Sequence, residues 1–163
     1  MYASALLSRI RRDLDTIPEY TARIGQERQE KRVGPPDVLS HFGNYNYATY
    51  TEIQGQNTVE PDFPLDPVRV NECEEALHRY LDRYAPGNRE LKTYVTAISL
   101  YLVFIARRPL HPPGVELSQG IRIIKREGAY LCTGKARYLR DPDSLCRFCI
   151  CRSGKEPGED AGQ

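Results

Sequence analysis

The stretch between Asp66 and Pro109 leaves the chain the least freedom. Asp66-Pro67 is a helix start, because an aspartate N-cap accepts a backbone N–H and proline's fixed φ suits the first helical position. Val70, Cys73, Leu77, Tyr80, Leu81 and Tyr84 then recur at steps of three and four, so they share one helix face. Glu72, Glu75, Arg79 and Asp82 fall mostly outside it. Pro86-Gly87-Asn88 breaks the period, and Asn88 is placed to cap a second helix over Arg89 to Arg108. That segment aligns Leu91, Val95, Ile98, Leu102 and Ile105, widened by Tyr94, Tyr101, Val103 and Phe104. A helix apolar around most of one end belongs at the centre of a fold. The short turn makes the two helices antiparallel neighbours. Arg107 and Arg108 suit the negative end of the helix dipole. Pro109-Leu110-His111-Pro112-Pro113-Gly114 then reads as rigid extended chain.

The rest of the chain is arranged around this pair. Ser4 to Ile17 carries Leu6, Leu7, Ile10, Leu14 and Ile17 at helical spacing, with Arg9, Arg11, Arg12 and Asp13 on the wet side. Glu19 to Arg32 is highly charged and offers only Tyr20 and Ile24 as anchors, which predicts an exposed helix ending at Gly34-Pro35-Pro36. Asp37 to Tyr50 is ambiguous. Tyr45 and Tyr47 alternate as in a strand, while Phe42, Tyr45 and Ala48-Thr49 fit a helix almost as well. Ile53 to Pro67 reads as a loop, because Gly55, Asn57, Pro61, Pro64 and Pro67 interrupt any period. Ile121 to Lys125 and Ala129 to Cys132 form a β-hairpin turning at Glu127-Gly128. Asp141 or Asp143 then caps a short last helix. The expected fold is mainly α: one helical domain over 1–152 with a small C-terminal β-hairpin and a short cysteine-bearing helix. Residues 153–163 lack apolar anchors and are expected to form a disordered tail.

Composition removes several function classes. A chain of 163 residues can bury a core without metals or disulfides. A net charge of +1 argues against a nucleic-acid binder. The charge is uneven: Glu60 to Glu90 holds eight acids and four arginines (−4), and Lys125 to Arg152 holds seven bases and three acids (+4). No run of about 18 apolar residues suggests a membrane span. Met1 to Leu14 has arginines within its apolar pattern and lacks a signal-peptide layout. A cytoplasmic location is expected. Thiols there stay reduced, so clustered cysteines point to metal, redox or catalytic use. An odd count of five also fits a disulfide framework poorly. No G-x-G-x-x-G, P-loop or H-E-x-x-H occurs.

The chemistry concentrates in Cys132, Cys146, Cys149 and Cys151. On a helix, Cys146 and Cys149 lie one turn apart and share a face. Cys151 would point away, at about 140° from Cys146, and joins them only if the helix ends near Cys149 or Ile150. A hairpin thiolate from Cys132 plus the helical pair suits a tetrahedral ion. Lys135 stands where a second C-x-x-C would put Cys132's partner. The fourth ligand is therefore Cys151, His111 or a non-protein group. Thiolates select zinc or an iron–sulfur cluster without separating the two. Lys135, Arg137, Arg140, Arg147 and Arg152 favour the thiolate form. The plainer alternatives are a dithiol redox pair and thiols that only pack. Cys73, on an apolar helical stripe, reads as core. His111, among prolines, is a ligand, a general base or a packing residue. His41, His78, Asp141, Asp143 and the tyrosines at 45, 47 and 50 have structural explanations that suffice. The leading expectation is a structural or accessory zinc or iron–sulfur site. The competitors are an enzyme with an open metal or reactive thiolate beside His111, and a protein-interaction module for an unidentified protein partner.

Leu102-Val103-Phe104-Ile105-Ala106-Arg107-Arg108-Pro109-Leu110-His111-Pro112-Pro113-Gly114, then Gly128-Ala129-Tyr130-Leu131-Cys132 and Ser144-Leu145-Cys146-Arg147-Phe148-Cys149, resemble an uncharacterised family of small archaeal proteins, mostly from methanogens. The resemblance covers about residues 95 to 152. It supplies no catalytic residue, since the family has no established activity. It implies an anaerobic setting in which an iron–sulfur cluster gains weight. Relatives carry a proline after the first cysteine, whereas Thr133 follows Cys132 here, so the geometry of that turn is not carried over.

Overall fold

The computed structural model describes residues 1–30, 37–118 and 120–154. Five helices form its body: α1 (Ala3–Asp15), α2 (Pro18–Glu30), α3 (Val38–Gly55), α4 (Pro67–Tyr84) and α5 (Arg89–Leu100). The caps at the central pair are those the sequence predicts. Asp66 accepts from the Val68 amide at 2.9 Å, and Asn88 accepts from the Leu91 amide at 3.0 Å. α5 packs against α1, α3 and α4, and Tyr94, Ile98 and Leu100 are buried there. α1 buries the predicted stripe of Leu6, Leu7, Ile10 and Leu14. α1 has no side-chain cap of its own; Asp62, in the loop after α3, accepts from the Ser4 amide at 2.9 Å.

Three expectations change. The ambiguous segment is helical and runs on to Gly55, past the predicted loop start at Ile53. Tyr45, Thr49 and Ile53 recur every four residues, and Thr49 and Ile53 are fully buried. The tyrosine alternation reflects two faces of a helix, with Tyr47 and Tyr50 stacked at 5.7 Å. The second central helix is not α-helical to Arg108. It widens into a π-helical turn over Tyr101–Ile105, where the Ala106 amide donates to the Tyr101 carbonyl at 2.9 Å. The exit is fixed by Glu52 of α3, which accepts from the Tyr101 hydroxyl at 2.7 Å and pairs with Arg108 at 2.5 Å. Arg107 turns aside over the Phe63 ring. Finally, the last helix is only a 3-10 turn, Leu145–Arg147, and Ser144 caps it rather than Asp141 or Asp143. The expected fraying toward Gly34 and most of the expected tail, 155–163, lie outside the described residues.

The C-terminal part carries a four-stranded sheet in the order β1 (Glu116–Ser118), β2 (Ile121–Arg126), β3 (Ala129–Cys132), β4 (Arg152–Ser153). The predicted hairpin is β2–β3. Glu127 and Gly128 both take positive φ (50° and 80°), the tight turn that matches strand twist. A short helix, α6 (Lys135–Tyr138), follows it. β4 runs parallel to β3, pairing Leu131 with Arg152 and Cys132 with Ser153. Ile123, Cys132 and Cys151 form a second small core there. Among the described residues, no helix is long and apolar enough to cross a membrane. The fold is mainly α with a small C-terminal sheet.

Candidate functional site

The four C-terminal cysteines arrive from four places: the end of β3 (Cys132), the 3-10 turn (Cys146), the step beyond it (Cys149) and the residue before β4 (Cys151). The turn keeps one helical step to Cys149, whose amide donates to the Leu145 carbonyl at 3.3 Å. It then ends. Cys151 is therefore not swung away on a helix but returned to Cys132 by the β3–β4 pairing. Lys135 fastens this return, its Nζ donating to the carbonyls of Cys149 at 2.7 Å and Cys151 at 2.5 Å. Gly134 lets the chain pass close by, since a Cβ there would meet Ile121 Cγ2 at 2.8 Å. Phe148 turns the other way, into the main core. All four cysteines and His111 line one cavity of roughly 690 Å³, between α3–α5 and the cysteine segment.

The thiols are not equivalent. A hydrogen bond from the Cys151 thiol holds Cys149 below the usual thiol range; the Leu110 and Cys151 amides and the Lys135 ammonium act the same way against burial. Donating to Cys149, together with burial, pushes Cys151 up. Burial raises Cys146, opposed by the Ser144 hydroxyl. Within the pair, Cys151 is the donor and Cys149 the more acidic thiol. Among the described residues, no three His, Cys, Asp or Glu side chains close on one point tightly enough to hold an ion as they lie.

His111 sits in the cavity wall, its ring edge-on to Phe42 at 5.2 Å. Tyr45 sets this segment: its hydroxyl donates to the Pro109 carbonyl at 2.6 Å, two residues before His111. Burial pushes Tyr45 up to about 12. Sequence reasoning assigned Tyr45 to packing alone; its four-residue spacing to Thr49 and Ile53 was the signal that it faces inward. It also treated Lys135 as a gap in the ligand pattern, whereas that side chain ties the site together. Cys73 is core as expected, pushed to about 12 by burial. Arg107 and Arg108 form no anion pair beside His111, because each is engaged elsewhere. Asp141 accepts from the Asp143 amide at 2.9 Å, and Asp143 pairs with Arg83 of α4 at 3.2 Å.

Burial lowers the His111 pKa from its ordinary 6.5. Below that value the unfolded chain takes up a proton that folded His111 still refuses. This contribution to stability is complete above 6.5 and declines as pH falls toward the folded value. His111→Gln is expected to flatten the fall in melting temperature between pH 7.5 and pH 5.5. Parallel slopes for the two proteins would remove His111 as a source of the pH dependence.

A family model described as an uncharacterised protein conserved in archaea (DUF2115) matches residues 10–154. A UPF0305 protein of Methanocaldococcus jannaschii is 28% identical over 160 residues, covering 94% of this chain and 97% of that one. A UPF0305 protein of Methanothermobacter thermautotrophicus is 32% identical over 128 residues, 76% and 77% of the two chains. One from Methanococcus maripaludis (strain DSM 14266) is 34% identical over 121 residues, 74% and 67%. No solved structure matches the chain. The match of the family model across both the helical body and the cysteine segment places the chain in this uncharacterised archaeal family.

Proposed function

We propose that the chain holds a soft metal centre, zinc or an iron–sulfur cluster, through Cys132, Cys146, Cys149 and Cys151. The observation that carries this is that four thiols from separate points of the chain line one cavity. The donor set suits the group in kind: thiolates select zinc and iron–sulfur over magnesium or calcium. Lys135 supplies a cation beside them. The segment that carries Cys149 and Cys151 is already tied at Lys135 and β4. Such a centre crosslinks the hairpin to the last turn, a structural or accessory role. His111, in the same wall, is the alternative fourth ligand if Cys151 keeps its bond to Cys149. A cytoplasmic, reducing setting goes with this proposal.

Anaerobically purified protein tests it by metal analysis and a visible spectrum. One zinc per chain in a colourless sample, or iron with broad visible absorption, is the expected result. Cys146→Ser should then retain at least about tenfold less metal. Metal-free protein, together with an unchanged melting temperature in Cys146→Ser, overturns the proposal. One observation favours a dithiol instead, namely the Cys149–Cys151 contact. In that case a diazene oxidant takes two electrons and two protons from the pair, forming one disulfide while Cys132 and Cys146 stay free.

A further inference from the structure

We propose that the cavity is a binding site for a small planar aromatic anion, gripped by the C-terminal half of α4. That half repeats one dipeptide: Arg79-Tyr80 and Arg83-Tyr84. Four-residue spacing sets the two arginines along one line of the helix and the two tyrosines along the next. All four line the cavity. The tyrosine rings lie 4.6 Å apart, and the Arg83 guanidinium lies over Tyr84 at 5.7 Å from the ring centre. Tyr84 is 64% exposed, far more than core packing requires of so large an apolar ring. Tyr138 also lines the cavity, with the Arg137 guanidinium 5.6 Å from its ring centre. Val95, Ile123, Leu110 and Leu145 add apolar wall to the cavity. Apolar walls with a few polar groups and this volume match small-molecule sites, which span about 300–1,000 Å³.

Charge selects the ligand. Asp143 is neutralised by Arg83, and Asp141 is occupied by the Asp143 amide. Lys135 is spent on two carbonyls. Among the described residues Arg79 pairs only with Glu75, at 3.9 Å with both side chains more than half exposed, a contact worth little. Lys135 keeps its charge but points to the cysteine segment, so Arg79 and the remaining donors of Arg83 are the positive charge that α4 offers the cavity. The carbonyl end of α4 disfavours an anion, so binding one there depends on these guanidiniums. Planar rings stack well on tyrosine and on guanidinium faces. The ligand class that satisfies both is a flat aromatic body bearing a carboxylate, sulfonate or phosphate. None of Arg79, Tyr80, Arg83 or Tyr84 is a metal-ligand candidate, so this proposal does not rest on the metal centre.

Two dyes test it: 8-anilinonaphthalene-1-sulfonate, and N-phenyl-1-naphthylamine, which has the same rings without the sulfonate. With full-length protein, the anionic dye should saturate one site, at least about tenfold tighter than the neutral one, the scale of a charge-assisted contact. Arg79→Gln should remove most of that preference. Tyr84→Ala should weaken both dyes. Both residues are exposed, so melting curves should be unchanged, which separates lost binding from lost folding. Equal affinities for the two dyes, binding without saturation, or a preference untouched by Arg79→Gln would overturn the proposal. Dye affinity and metal content are separate readouts.

Discussion

Ile98→Ala is expected to lower the unfolding free energy by about 2–5 kcal/mol. Ile98 is 1% exposed, in the middle of α5, the helix that α1, α3 and α4 all contact. The substitution removes three carbons at a point walled by other helices, so neighbours cannot collapse far into the space. The cost then includes the cavity as well as the lost transfer energy. For a chain of this size the melting temperature should fall by on the order of 10 °C. Denaturant unfolding followed by circular dichroism checks this. A loss under about 1 kcal/mol, well below the range for a filled core, would mean that α5 is not the centre of the body.

Lys135→Met should release the cysteine segment while leaving the helices in place. One ammonium satisfies two backbone carbonyls, those of Cys149 and Cys151. Methionine matches its length and offers no donor. Two acceptors then lose their partner, at about 1–3 kcal/mol each if they stay buried. The segment instead has the option of opening toward water, so the loss is partly local. The expected signature is faster modification of Cys149 and Cys151 by a disulfide reagent, by about tenfold or more, from the same energy scale. The helical melting transition should shift little. Unchanged labelling rates would show that the β3–β4 pairing alone holds the thiols.

The helical body was legible because its signals are local. Asp66-Pro67, Asn88 and the stripe from Val70 to Leu81 each act within a few residues. The hairpin turn was legible for the same reason: Glu127-Gly128 is bounded by two apolar runs. The π-helical turn was not, because it depends on Glu52, which is 49 residues from Tyr101. The two-residue β4 has no period to detect. Its effect on the site was decisive, since the position of Cys151 follows from it. Helix geometry left Cys151 to join the others only if the helix ended near Cys149 or Ile150, and the turn ends at Arg147. It could not say where the chain would go after the turn ended. Lys135 was visible in sequence only as a missing cysteine, because its partners are carbonyls, which every residue has.

The parallel strand β4 also orders events in time. A chain made from its N-terminus tends to fold in that direction. In chain order, the body from α1 to α5 and the β2–β3 hairpin all precede Cys146 to Ser153. β3 therefore gains its parallel partner only once the chain has been made through Ser153. The thiol site is thus the last part of the described fold to assemble, because three of its four cysteines come from the final segment.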